Sequence, residues 1–223
     1  MLHKIMENLS SIIYLHELRG TNLFEQEPQG FSALKIFHYE TLMAGDRKGF
    51  HIEGGYYSIL VPITGDFLYT DPVFEDMEIA VGQAIMISRA ESFDFQLKNP
   101  FEGDEISFLV LTVAHTFDIA DFVNVFEFNL AAHKNSLVEI TEMQFSATQP
   151  LPFRISIGQF SGRQEVVKSV VDFPNVFCYV LAGAFEISGR LLQPLDGLAI
   201  WDIEEIDMEA LSNNALVLMV EMK

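Results

Sequence analysis

Short apolar runs separated by turn residues dominate this chain. The stretch from Gly54 to Gly65 is a glycine-marked entry followed by an apolar run, and a turn at Thr64-Gly65-Asp66 leads into Phe67-Leu68-Tyr69. Residues 33–39 alternate between apolar and polar side chains, and 106–113 is almost continuously apolar, as expected for a strand covered on both faces. Helical periodicity is scarce. The pattern therefore predicts an all-β sandwich or barrel.

The hairpin pattern occurs twice. Val176 to Leu181, a turn at 182–184, and Phe185 to Ile187 repeat the first hairpin, and Gly-x-Ala-Ile follows each hairpin, at Gly82 and at Gly197. The copies are offset by roughly half the chain, which indicates an internal duplication of one β unit. We predict two small jelly-roll barrels in tandem, residues 1–125 and 126–223, with few short helices.

Composition and charge exclude several classes of function. The 223 residues are 49% hydrophobic and include 20 Phe, enough to fill a substantial core. The formal net charge is −19, without a cluster of Lys and Arg, which argues against direct nucleic-acid binding and against acidic membrane surfaces. No apolar run approaches the ~20 residues that span a bilayer. We therefore expect no nucleic acid and no membrane among its partners.

The expected location is the cytoplasm. Residues 1–8 lack the apolar core and small-residue cleavage site of a signal peptide. Cys178 is the only cysteine, so no intrachain disulfide can form, and its apolar strand predicts a buried side chain rather than a reactive thiol.

Three common motifs of phosphate binding, dinucleotide binding and hydrolase catalysis are absent from the sequence. It contains no Walker A motif, no Gly-x-Gly-x-x-Gly after a strand and no Gly-x-Ser-x-Gly, and the acidic runs at 75–78 and 202–209 are best interpreted as solvated surface. Histidines 3, 16, 38, 115 and 133 show no metal-ligand spacing among themselves. For His38, which lies on an alternating strand, a hydrogen-bonded or surface role is favoured. Catalytic residues remain unassigned.

The order and spacing of several blocks resemble those of pirin-like bicupins, a family of the cupin superfamily. The resemblance covers roughly residues 30–223 and rests on Gly55-x-x-Ser58-Ile59-x-Val61-x-Ile63-x-Gly65 with Tyr69 and Asp71, on Gly82-Gln83-Ala84-Ile85-Met86, on Phe177 to Gly189, and on Leu195 to Ala199. It implies two cupin barrels, with a metal ion in the first barrel of many members.

The resemblance also implies a set of metal-ligand positions. The family's His-x-His pair falls on His51 and Glu53, and its His-x-Glu pair falls on Asp94 and Gln96, so only His51 keeps its residue type. Residues i and i+2 of a strand share a face, so the two pairs are expected to line one cavity. Either a divalent ion (Fe, Mn, Cu or Zn) persists with altered ligands, or the metal is lost and these residues rim a solvated cavity.

Aromatic and apolar residues near these positions are candidates for a cavity in the first barrel. They are Tyr57, Met86, Phe93 and Phe95. Filling of the core is the alternative interpretation of the same residues.

The resulting functional hypothesis is a cytoplasmic, pirin-like bicupin with a degenerate metal site. Its role would be binding or regulation, through a small molecule in the first barrel or a protein partner on the acidic surface. The alternative is a metal-dependent dioxygenase of the quercetin 2,3-dioxygenase type, in which the metal binds substrate oxygens and Glu53 or Asp94 acts as base.

Overall fold

The computed structural model describes residues 10–15, 23–24, 29–114, 121–141 and 151–223. All regular secondary structure in these ranges is β, in 19 strands. The all-β prediction is confirmed, whereas the few short helices that accompanied it are not found in the described ranges. No helix in those ranges is long and apolar enough to cross a membrane. His3, His16 and His115 lie outside the described residues.

The chain divides into two compact units, and residues 21–127 form one of them, called here the first barrel. Its strands are β2 (Leu34–Leu42), β3 (Arg47–Ile52), β4 (Tyr56–Thr64), β5 (Phe67–Thr70), β6 (Met77–Ile79), β7 (Gln83–Arg89), β8 (Phe93–Lys98), β9 (Ile106–Ala114) and β10 (Phe122–Glu127). They form a five-stranded sheet, β10-β7-β4-β9-β2, and a four-stranded sheet, β3-β8-β5-β6.

One apolar core joins these two sheets. Leu60, Ile85 and Phe108 from the five-stranded sheet pack in the same cluster as Phe67 and Phe95 from the four-stranded sheet. Every residue from Ile106 to Val113 is buried. The predicted burial of this run on both faces is therefore confirmed.

The other unit, called here the second barrel, contains residues 1–20 together with 128–223. Its strands are β1 (Ser10–Tyr14), β11 (Leu137–Glu139), β12 (Phe153–Phe160), β13 (Glu165–Ser169), β14 (Asn175–Ala182), β15 (Phe185–Ile187), β16 (Arg190–Leu192), β17 (Gly197–Trp201), β18 (Glu205–Ala210) and β19 (Ala215–Met222). They form a six-stranded sheet, β1-β17-β14-β19-β12-β11, and a four-stranded sheet, β13-β18-β15-β16.

Strand β1 differs from the sequence-based expectation, which assigned residues 1–125 to the first barrel. It pairs antiparallel with β17, with Ser10 opposite Trp201 and Tyr14 opposite Gly197. Tyr14 is only 1% exposed, and its ring meets Phe177 edge to face at 6.0 Å. Burial of this aromatic side chain explains why β1 completes the six-stranded sheet.

In each barrel a glycine lies at the turn that carries the chain from one sheet to the other, so the strands predicted as a hairpin belong to different sheets. Gly65 connects β4 to β5 with φ of 72°, and Gly183 connects β14 to β15 with φ of 71°. A Cβ atom at Gly183 would also lie 2.3 Å from Oγ of Ser212. Glycine adopts this positive φ without strain and avoids the close approach, so the repeated turn noted in the sequence has a steric cause.

Candidate functional site

The predicted metal-ligand positions lie on β3 and β8, which pair antiparallel with His51 opposite Asp94. Nδ1 of His51 lies 2.7 Å from Oδ1 of Asp94, and the two side chains are 63% and 83% exposed. Gln96 accepts a hydrogen bond of 3.3 Å from Nη1 of Arg47. Glu53 is exposed past the end of β3 and has no hydrogen bond or ion pair with the described residues. The structure thus brings His51 and Asp94 together, but not the full set.

The alternation of β3 and β8 places this pair outside the barrel. Phe95 belongs to the apolar core, and Phe50 and Phe93 pack against that core. Because neighbouring residues of a strand point to opposite faces, His51 and Asp94 leave the sheet on its outer face. An open groove of about 540 Å³ lies there, bordered by the His51–Asp94 pair, by Gly49 and Gln96, and by Thr70, Asp71 and Pro72.

Aromatic rings occupy the inward side of the same strands. The rings of Phe50 and Phe95 stack with centroids 5.0 Å apart and planes inclined by 14°. Phe95 also contacts Tyr69, with centroids 5.6 Å apart. The interior beneath His51 and Asp94 is therefore packed with hydrocarbon.

These residues do not fit a resident divalent ion. A protein site for Fe, Mn, Cu or Zn draws on at least three convergent donors. Within the described ranges, no three His, Cys, Asp or Glu side chains are grouped closely enough to hold a metal ion. A single exposed imidazole–carboxylate pair supplies too few donors, and the solvent competes for both.

The four predicted cavity residues fall on two different faces. Phe93 and Phe95 lie at the core of the first barrel. On β7, Met86 lies between the core residues Ile85 and Ile87, and Tyr57 on β4 lies opposite Ser88, the residue after Ile87. Both side chains therefore occupy the other face of the five-stranded sheet. The structure does not bring the four side chains into one cavity.

A polar cluster that the sequence analysis did not identify lies on the inner side of the first barrel. Glu40 on β2 is 7% exposed, and its Oε2 accepts a hydrogen bond of 2.7 Å from Nζ of Lys48 on β3. Its Oε1 lies 3.2 Å from Nδ1 of His38. Glu40 pairs in register with the core residue Phe108 and therefore faces inward. The signal in the sequence is a pair of polar residues at i and i+2 on the apolar face of an alternating strand.

The environment of Glu40 favours its ionised form. Burial by itself would raise the pKa of Glu40, but the hydrogen bonds and charges of His38 and Lys48 outweigh it and hold the pKa below its usual value. The hydrogen-bonded role favoured for His38 is what the structure shows.

A second buried carboxylate organises the turn after β5. Asp71 accepts hydrogen bonds from the backbone N–H groups of Val73 and Phe74, from the hydroxyl of Tyr69 at 2.9 Å and from Arg89 at 3.2 Å. Burial acts to raise the pKa of Asp71, and these four donors lower it overall. The pKa of Tyr69 is raised by burial and by its bond to the Asp71 carboxylate. All four hydrogen-bond donors to Asp71 belong to the protein itself, so the network stabilises this turn.

The second barrel contains a buried ion pair between its two sheets. Nζ of Lys168 on β13 donates to Oε2 of Glu221 on β19, and Glu221 is fully buried. Cys178 is buried nearby, and burial together with the Glu221 charge raises the pKa of its thiol to about 12. The thiol is therefore unreactive, as the sequence predicted. In the sequence, Glu221 is the one acidic residue of an otherwise apolar strand.

One family model matches part of this chain, and known structures share its fold. Residues 152–222 match the family model of the quercetinase C-terminal cupin domain. No curated protein matches the chain. The structure of YhhW from Escherichia coli is similar at 17% identity with a TM-score of 0.82, covering 96% of this chain and 98% of that chain.

Two further structures are similar at lower scores. Bacterial pirin YhhW from Escherichia coli in complex with nickel(II) has 16% identity and a TM-score of 0.75, covering 96% of this chain and 91% of that chain. Quercetin 2,3-dioxygenase from Acinetobacter baumannii has 14% identity and a TM-score of 0.69, covering 96% and 80%. These likenesses confirm the fold predicted from the sequence, two cupin barrels in tandem. With the family-model match, they support a pirin-like cupin family for this chain.

Proposed function

We propose that this chain is a binding or regulatory bicupin whose first barrel does not depend on a metal ion. The observation that carries the proposal is the stack of Phe50 on Phe95 at the inward positions of β3 and β8. The polar residues that align with the family's ligands, His51 and Asp94, point to solvent instead.

The chemistry of a cupin dioxygenase is the reason why these positions matter. Such an enzyme needs a metal ion that holds the substrate oxygens and directs dioxygen. In this chain, the side chains at the corresponding inward positions are aromatic hydrocarbons, which exclude water and offer no lone pair to a metal ion.

The outer groove is the surface of the first barrel where we propose that a small molecule or a protein partner binds. Its volume of about 540 Å³ falls within the ~300–1,000 Å³ of ordinary ligand sites. The exposed His51–Asp94 pair supplies a hydrogen-bonding edge beside the groove. A cytoplasmic location agrees with a chain that has one buried cysteine.

Elemental analysis tests this proposal. Protein purified without chelator and without a nickel column is assayed for Fe, Mn, Cu, Zn and Ni, beside the variants His51→Ala and His133→Ala. The expected result is far less than one metal ion per chain in all three proteins. Near-stoichiometric metal that is lost in His51→Ala and retained in His133→Ala would overturn the proposal.

The alternative function, flavonol cleavage by a metal-dependent dioxygenase, is favoured by one observation. Residues 152–222 match the C-terminal cupin domain of the quercetinases. Oxygen uptake with quercetin, measured after incubation of the protein with Fe(II), Mn(II), Ni(II) or Cu(II), separates the two functions. Turnover that is abolished in His51→Ala would establish the alternative, and no turnover above the metal-only control would remove it.

A further inference from the structure

A buried carboxylate and three basic side chains converge at one end of the second barrel. Arg154 on β12 is the cross-strand partner of Glu221 on β19, so both side chains leave the sheet on the same face. Val176, opposite Glu221 on β14, belongs to the apolar core and shows that this face points into the barrel. Lys168 reaches the same place from the four-stranded sheet, where it lies opposite the core residue Ile206.

One oxygen of this carboxylate has no partner. Oε2 of Glu221 accepts from Lys168, but Oε1 has no hydrogen bond to any described residue, although the side chain is fully buried. Buried polar atoms are almost always hydrogen-bonded, and an ionised oxygen needs a donor more than a neutral one does. This oxygen is therefore an acceptor that no described residue satisfies.

Two of the basic side chains, Arg154 and Lys223, lie over an aromatic ring. The guanidinium carbon of Arg154 lies 4.5 Å from the ring centroid of Phe173, and Nζ of Lys223 lies 5.7 Å from the same centroid. Neither side chain forms an ion pair with a described carboxylate, and this includes the exposed Asp172 and Glu204 at the same end. This end of the barrel thus combines three cations with the buried carboxylate of Glu221 and the exposed carboxylates of Asp172 and Glu204.

We propose that this end of the second barrel binds a small organic anion that also carries a hydroxyl group. Arg154 and Lys223 bind the anionic group, since guanidinium and ammonium groups form charge-assisted hydrogen bonds with carboxylates and phosphates. The ligand hydroxyl donates to Oε1 of Glu221. The inference goes beyond the proposed function, because a metal-free first barrel does not require a ligand in the second.

Matched ligands test the two halves of this recognition. Isothermal titration calorimetry compares L-malate with succinate, and glycerol 3-phosphate with propyl phosphate, because the members of each pair differ in hydroxyl groups. The expected result is binding of the hydroxylated member at least about 10-fold tighter in one pair, since a site built around a hydroxyl rejects the analogue that lacks it. The pair that responds separates carboxylates from phosphate esters. Equal affinity within both pairs, or no binding of either hydroxylated probe, would overturn the proposal.

Substitutions then test whether the preferred probe binds at this end of the second barrel. Arg154→Met is expected to weaken the preferred probe at least about 10-fold, because a charge-assisted contact is lost. Lys134→Met, which removes an exposed lysine of the same unit, is the matched control and should leave the affinity unchanged. Glu221→Gln should remove the preference for the hydroxylated member. An equal effect of Arg154→Met and Lys134→Met would show non-specific charge attraction and would contradict the site, even if Glu221→Gln does not fold.

The metal content of the same preparation is recorded in each titration. Metal in the first barrel would count against the proposed function alone, whereas a failure to discriminate within both ligand pairs would count against this inference alone.

Discussion

Two buried glutamates illustrate how these barrels hold a charge inside. Glu40 and Glu221 both face the interior, and each is paired with a lysine from a strand of the opposite sheet, Lys48 and Lys168. Both oxygens of Glu40 have partners, whereas Oε1 of Glu221 has none among the described residues. The hydrogen-bonding capacity of the Glu40 carboxylate is therefore satisfied on both oxygens, whereas Glu221 keeps one unsatisfied acceptor.

Glu40→Gln should make the first barrel less stable and less sensitive to acid. The pKa of Glu40 is lowered in the folded state, so its contribution is present above the unfolded-state pKa and is lost as the pH falls through the folded-state pKa. At neutral pH the variant should lose about 1–3 kcal/mol of unfolding free energy, and this difference should shrink in acid. Urea unfolding across that pH range measures it. Glu75→Gln, at an exposed position, is the control, and a deficit that is the same at every pH would contradict the lowered pKa.

Lys168→Met should destabilise the second barrel strongly. It leaves the Glu221 carboxylate buried without a cation, and breaking a buried ion pair from one side typically costs about 3–5 kcal/mol. The double variant Lys168→Met/Glu221→Met should recover most of this loss, because no buried charge remains. Chemical denaturation of the three proteins measures the effect. A single variant as stable as the parent would show that Glu221 is not held as an ion.

The pairing of β3 with β8 determines which of their residues face the interior of the first barrel. Their register places Phe50 opposite Phe95 on the inner face and His51 opposite Asp94 on the outer face. A shift of one residue in either strand would exchange the two faces. The stacked rings oppose such a shift, because it would expose them to water.

Neighbouring substitutions on β8 test this assignment of faces. Phe95→Ala should cost about 3–5 kcal/mol of unfolding free energy, because it opens a cavity in the core at a residue only 3% exposed. Asp94→Ala should change stability by less than about 0.5 kcal/mol, because its side chain is 83% exposed. Guanidinium unfolding of both variants provides the comparison. Similar losses for the two would contradict the inward and outward assignment.

Taken as one molecule, the chain does not divide into two consecutive halves. Strand β1 pairs with β17 in the six-stranded sheet, although the rest of the second barrel begins after β10. Tyr14 closes that sheet edge by packing on Phe177. The earliest described strand therefore belongs to the same sheet as the last strand, β19.

Tyr14→Ala should lower the local stability of the second barrel and leave that of the first barrel unchanged. Loss of the buried ring removes packing from the edge of the six-stranded sheet, so backbone amides of β14 and β17 should exchange faster with deuterium. Amides of β4 and β9 should keep their protection. Hydrogen–deuterium exchange with mass spectrometry measures both sets. Faster exchange confined to β4 and β9 would contradict the placement of β1.

The architecture was predictable from local patterns, and the site was not. Alternation along 33–39, the apolar run at 106–113 and the glycine turns at Gly65 and Gly183 depend on period and steric demand, which a sequence displays directly. The orientation of His51 depends on register, where one residue changes the face. The Glu40 and Glu221 contacts join residues distant in sequence, and only the folded sheets bring these side chains together.

The central claim is that Phe50 and Phe95 take the inward positions beside His51 and Asp94 and leave no metal site between β3 and β8. Crystals soaked in nickel(II) or iron(II), with diffraction recorded at the absorption edge of the metal, test it most directly. The account predicts no anomalous peak inside the barrel between β3 and β8, with Phe50 stacked on Phe95 in the density. An ordered peak in that interior, coordinated by His51 and Asp94 turned inward, would contradict it.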